Sequence, residues 1–236
     1  MTTKHVVTDE DEKKFQDRLW ELENRWRKKI LDPEQTLLGL QSLIENRRAR
    51  VVRAGDFPPF LTDWQSFYRD LGISCDLSGV IIPDDPGELK RILIMAQGIT
   101  PQSGYDLCAK NFPCWKYTKK NLDDIVISER TTKNGAYAIR VRDRVEADEE
   151  LKNLSVYNLK QRDILGITLE EREIYGLKFF KEAGKHLDIQ NWTLCSGSRC
   201  GDGYVLGAYW SGGEFKVDCS HPVNSGDRLR SRQVVS

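Results

Sequence analysis

Tyr204-Val-Leu-Gly-Ala-Tyr-Trp210, Ser211-Gly-Gly213 and Glu214-Phe-Lys-Val-Asp-Cys219 follow one another without a break. The outer two segments are rich in β-branched and aromatic residues and read as strands. The glycine pair between them suits a tight hairpin turn. Asn191-Trp-Thr-Leu-Cys195 supplies a third strand just upstream. A parallel partner would need a crossover of about a dozen residues or more, and the links are too short for a helical one. The stretch from about 190 to 221 is therefore expected to be a three-stranded antiparallel module, which sets the class of the fold.

Working back from that module, Thr168-Leu-Glu-Glu171 has the form of a capping box. The threonine oxygen accepts the N3 amide proton and Glu171 reaches back to the cap. Ile174, Leu177 and Phe180 continue an apolar stripe, and Gly184 is the expected stop. Thr100-Pro101 opens another helix, with Tyr105, Cys108 and Phe112 on one face. Val80-Ile-Ile82 and Arg91-Ile-Leu-Ile-Met95 read as buried strands on either side of the turn-rich Pro83-Asp-Asp-Pro-Gly87. Thr62 is positioned to cap a short helix bearing Trp64, Phe67, Tyr68 and Leu71.

At the N-terminal end, Phe15, Leu19, Leu22, Trp26 and Ile30 recur at helical spacing over Asp9 to Leu31. Asp32-Pro33 then starts a second helix carrying Leu37, Leu40 and Ile44. Gly55-Asp-Phe-Pro-Pro-Phe60 breaks the pattern. The expectation is an α+β protein with a mostly antiparallel sheet: a helical hairpin over 1–54, and an α+β domain over 60–236.

Composition narrows the function. Of 236 residues, 36 are Lys or Arg and 36 are Asp or Glu, so nucleic-acid binding would have to come from local patches. No apolar run approaches the length of a membrane span, and the N-terminus has no signal-peptide core. A cytoplasmic location without a membrane partner is expected, and the six cysteines read as free thiols.

Tyr137-Ala-Ile-Arg-Val-Arg-Asp-Arg-Val145 is the main binding candidate. If it is one strand, Tyr137, Ile139, Val141 and Val145 share a core face, and Arg140, Arg142 and Arg144 share the other. A row of guanidinium groups suits phosphate or carboxylate. The opposing reading is a solvated face neutralised by Glu146, Asp148, Glu149 and Glu150. With Asp143, those acids are also a weak candidate for a divalent metal, although they fit the first turn of a helix equally well. Asp143 falls on the apolar side by parity, where it needs a partner. Arg228, Arg230 and Arg232 form a second binding candidate in a terminal tail, a place where chains are commonly mobile. Basic residues also cluster at Arg25 to Lys29 and at Arg47 to Arg53.

Cys195, Cys200, Cys219 and His221 have the ligand types of a structural zinc site, without the usual Cys-x2-Cys spacing. His186 beside Asp188, with Cys195, is a weak candidate for a thiol nucleophile and its base, and Asp143 is a further weak catalytic candidate. No phosphate-cradling loop, dinucleotide fingerprint or nucleophile elbow occurs. The favoured expectation is a non-enzymatic protein that binds a macromolecular partner through the arginine-faced strand and needs no cofactor. Nucleic-acid binding is the alternative, and a hydrolase using the Cys/His pair or the acidic cluster is a lesser one.

Several segments resemble one family of uncharacterised proteins found mainly in genomes of candidate-phylum bacteria. They are Asn111-Phe-Pro-Cys-Trp115, Gly135-Ala-Tyr-Ala-Ile139, Arg142-Asp-Arg-Val-Glu-Ala-Asp-Glu-Glu-Leu151, Gly184-Lys-His-Leu-Asp188, Thr193-Leu-Cys195, Ser198-Arg199, Leu229-Arg-Ser-Arg232 and Val234-Val-Ser236. The similarity runs from about Trp64 to the end. It implies a bacterial, intracellular protein and carries over no catalytic residue.

Overall fold

A computed structural model describes residues 9–33, 36, 37, 40, 50, 51 and 58–236. The chain divides into two compact units, Met1–Arg48 and Ala49–Ser236. The protein is α+β.

The first unit contains α1, Asp9–Arg27. It ends four residues before the expected Leu31, and Lys29 takes a left-handed φ of 55° in the turn that follows. Ion pairs one turn apart run along the helix, among them Lys14–Glu10 at 2.7 Å and Arg25–Glu21 at 3.5 Å. Phe15, Trp26 and Ile30 of the apolar stripe are exposed. The second helix of the expected hairpin lies largely outside the described residues.

Among its described residues the second unit has three sheets. A short ladder joins β1, Arg50–Val51, to β2, Ile81–Ile82. An antiparallel ribbon joins β3, Arg91–Met95, to β6, Tyr137–Val141. The main sheet contains β4 (Cys114–Lys116), β5 (Val126–Ser128), β7 (Trp192–Cys200), β8 (Val205–Ser211), β9 (Glu214–Ser220) and β10 (Leu229–Ser231). Its order is β10-β7-β8-β9-β4, with β5 also on β7.

The antiparallel trio β7-β8-β9 forms where the sequence places it. Gly212 and Gly213 both adopt positive φ in the hairpin turn, a conformation that glycine reaches without strain. The sheet is extended by two parallel edges, β4 on β9 and β10 on β7. These strands are only three residues long, and each pairs with a strand far from it in sequence.

Four α-helices among the described residues accompany these sheets: α2 (Pro59–Asp70), α3 (Pro101–Ala109), α4 (Val156–Gln161) and α5 (Leu169–Ala183). Helix α2 begins three residues before the expected cap at Thr62. Pro59, which lacks an N–H to leave unpaired, takes its first position. Thr100 caps α3 and Thr168 caps α5, each in a reciprocal capping box, and Gly184 closes α5 in the left-handed region.

From Leu169 through Lys178, α5 is buried on every side. Its start is pinned by a close backbone crossing with β7. Gly197 donates to the Ile167 carbonyl at 3.0 Å, and a Cβ on Gly197 would stand 2.6 Å from the Gly166 oxygen. The C-terminal residues are an ordered part of the fold and not a loose tail. Asp148 N–H donates to Ser231, Ile167 to Arg232, Val234 to Leu165, and Arg140 to Val235. The last eight residues thus tie β7, the start of α5 and β6 together.

Candidate functional site

Strand β6 ends at Val141, so Arg142 and Arg144 do not share a strand face with Arg140. Tyr137, Ile139 and Val141 do point to the core, whereas Val145, beyond the strand, is 39% exposed. Asp143 is exposed and not on an apolar face. Its nearest cation is Arg91, at 3.7 Å.

The three guanidiniums have separate environments. Arg142 is buried, donating to Asp148 at 2.8 Å, Glu88 at 3.1 Å and Gln233 at 3.2 Å. Arg144 makes a bidentate pair with Glu150, at 2.7 and 2.9 Å. Arg140 has no carboxylate within ion-pair distance among the described residues. It donates from Nε to the Pro83 carbonyl and from Nη1 to the Lys90 carbonyl at 3.4 Å, and its Nη2 has no partner among those residues.

Two carbonyls therefore fix the plane of Arg140. It lies directly across the ribbon from Ile92. Together with Phe60, Ile82, Pro83 and Asp84 they line a surface cleft of about 180 Å³. The walls are mostly apolar and the polar end is one cation with an open donor.

The terminal arginines also diverge. Arg228 is exposed, and Arg230 pairs with Glu149 at 2.5 Å. Arg232 is in the core, donating to Asp188 at 2.7 Å, to Thr193 Oγ1 at 3.1 Å and to the Arg144 and Val145 carbonyls. Asp188 accepts from Arg172 as well, at 2.8 Å, and from Thr193. One fully buried carboxylate thus holds two fully buried guanidiniums, an interior network with no exposed face to offer a partner.

Among the described residues no hydrogen bond joins Asp188 to His186, and the partners of the Asp188 carboxylate are Arg172, Arg232 and Thr193. The His186 ring stacks on Trp210 with centroids 3.3 Å apart and lies 4.8 Å from Phe180. Burial, with Arg172 nearby, lowers its pKa. Cys195 is a buried residue of β7, and burial raises its thiol pKa well above the usual value, which suppresses the reactive thiolate. Among the described residues no hydrogen bond joins His186 to Cys195. Cys200 contacts the Tyr117 hydroxyl at 3.1 Å, Cys219 is half-buried, and His221 is exposed beside Tyr204. No group of three or more His, Cys, Asp or Glu side chains suited to a metal occurs among the described residues.

Sequence reasoning missed the charged interior of α5. Glu171 pairs with Arg130 through two contacts of 2.8 Å, accepts the Tyr137 hydroxyl at 2.9 Å, and closes its capping box with Thr168. Glu170 accepts from Ser128 at 2.8 Å, and burial lifts its pKa to about 7. Lys178 pairs with Asp63 and with Glu182. Only the cap itself had a local signal, the Thr-x-x-Glu spacing. Neither a protein-family model, nor a curated protein, nor a solved structure matches the chain.

Proposed function

We propose that the protein is a binding protein whose recognition element is the Arg140 cleft. Its ligand is a protein segment that presents an apolar side chain beside a carboxylate. The observation that carries this reading is that Arg140 Nη2, at the end of an apolar cleft, has no partner among the described residues, while Arg142 and Arg144 are occupied by acids of the same chain.

The cleft is smaller than the roughly 300–1,000 Å³ typical of drug-sized ligands, so it suits a single side chain better than a cofactor. Arginine matches a carboxylate in shape as well as charge, and its fixed plane reduces the ordering cost of binding. Asp84 also lines the cleft and opposes any anion there, a phosphate backbone with its many charges more than a single carboxylate. The pairing of Arg142, Arg144 and Arg230 with acids also removes the row of free cations that tracking such a backbone requires.

The test is fluorescence anisotropy with a labelled tetrapeptide ending in leucine, as the free acid and as the C-terminal amide. The free acid is expected to bind about tenfold or more tightly, the worth of one charge-assisted hydrogen bond. Equal affinity of acid and amide refutes the carboxylate assignment. A gel shift with single- or double-stranded nucleic acid at low salt, with neither peptide bound, transfers the reading to nucleic-acid binding.

A further inference from the structure

A separate cavity lies inside the second unit, between α3, α5 and the β8–β9 hairpin. Its volume is about 10 Å³, close to the least that admits one water molecule. Phe112, Trp210 and Phe215 supply much of its apolar wall, and Arg172 and Glu173 supply its charged groups. Glu173 is fully buried, and neither of its carboxyl oxygens has a hydrogen-bond partner among the described residues. Arg172 Nη1 is buried without a partner too, although Nε is held by Asp188 and Nη2 by the Leu187 carbonyl at 3.4 Å.

Two glycines give these groups their room. A Cβ at Gly104 would stand 2.4 Å from Glu173 Oε2, and one at Gly176 would stand 2.6 Å from Arg172 Nη1. Buried polar groups are almost always satisfied, and each one left unpaired costs about 1–3 kcal/mol. Here three orphaned polar atoms belong to residues lining one volume of single-water size.

We propose that this cavity is a binding site for one water molecule, held between Arg172 Nη1 and the Glu173 carboxyl. Burial raises the Glu173 pKa well above the carboxylate range, so the group enters the site as the neutral acid. The water accepts hydrogen bonds from Arg172 Nη1 and from the Glu173 hydroxyl, and returns one hydrogen to the other Glu173 oxygen. All three orphans are then satisfied by one molecule, and Glu173 adds no charge to the buried Arg172–Asp188 pair. The site is independent of the Arg140 cleft and stands or fails separately.

The test is a high-resolution crystal structure of the full chain, with a bromide-soaked crystal collected for anomalous scattering and an infrared difference spectrum of wild type against Glu173→Gln at neutral pH. Expected are one density peak within hydrogen-bond distance of Arg172 Nη1 and the Glu173 carboxyl, no bromide signal, and a protonated-carboxyl C=O band that the variant loses. An empty cavity, a bromide peak at the site, or the absence of that band in wild type overturns the proposal. If the variant does not fold, the wild-type crystal still decides it through the density peak and the bromide signal.

Discussion

Helices α1 and α5 look alike in sequence, each dense in Glu, Lys and Arg around an apolar stripe, yet they hold their charges in opposite ways. In α1 the charges are exposed and pair one turn away, as in Lys14–Glu10 and Arg27–Glu23. Such pairs contribute only a few tenths of a kcal/mol each. In α5 the charges of the first ten residues are buried, and three of them pair with residues outside the helix: Arg172 with Asp188, Glu171 with Arg130, Lys178 with Asp63. The difference teaches that a charged helix face is not by itself a solvent face. What decides exposure is whether distant segments bring matching charges to it.

Substitution breaks this comparison most severely at Asp188. Asp188→Ala strands two buried guanidiniums, and loss of about 3–5 kcal/mol in urea unfolding is expected. A loss below about 1 kcal/mol would mean that the network is exposed to water.

Glu170 gives the next largest effect. Its folded pKa, about 7, lies above its ordinary 4.5, so the folded state binds the extra proton between those values. This contribution to stability is full below about pH 4.5 and is lost as the pH rises through 7. Its size is on the order of 3 kcal/mol. Unfolding midpoints measured across that window should fall less steeply in Glu170→Gln than in wild type. Unchanged steepness would place Glu170 in contact with solvent.

The smallest effect belongs to α1. Glu23→Gln should change stability by no more than about 0.5 kcal/mol, and added salt should erase even that. A larger loss would mean that α1 holds its charges as α5 does.

The sequence signals that succeeded were local. The β8–β9 hairpin declares itself through two glycines between strand-like runs, and α5 through its Thr168–Glu171 box and the Gly184 stop. What stayed hidden depends on remote partners. Strands β4, β5 and β10 are too short to show a period, and each is fixed by a register partner far along the chain. The alternation in Tyr137–Val145 was real only as far as Val141, because Glu88, Asp148 and Gln233 draw Arg142 inward beyond the strand. Asp188 appeared to belong with His186 by adjacency, but two arginines from α5 and the C-terminus claim it. Of the candidate site, Arg140 was legible and its cleft was not, since Phe60 and Ile82 come from elements whose approach no local pattern records.

The most direct measurement compares the Leu-terminated peptide's affinity for wild type, Arg140→Ala and Arg144→Ala in one anisotropy series. Arg140→Ala should weaken binding about tenfold or more. Arg144→Ala, which breaks only an exposed pair with Glu150, should leave binding within about twofold. Equal effects from the two substitutions, or none from Arg140→Ala, would contradict the account.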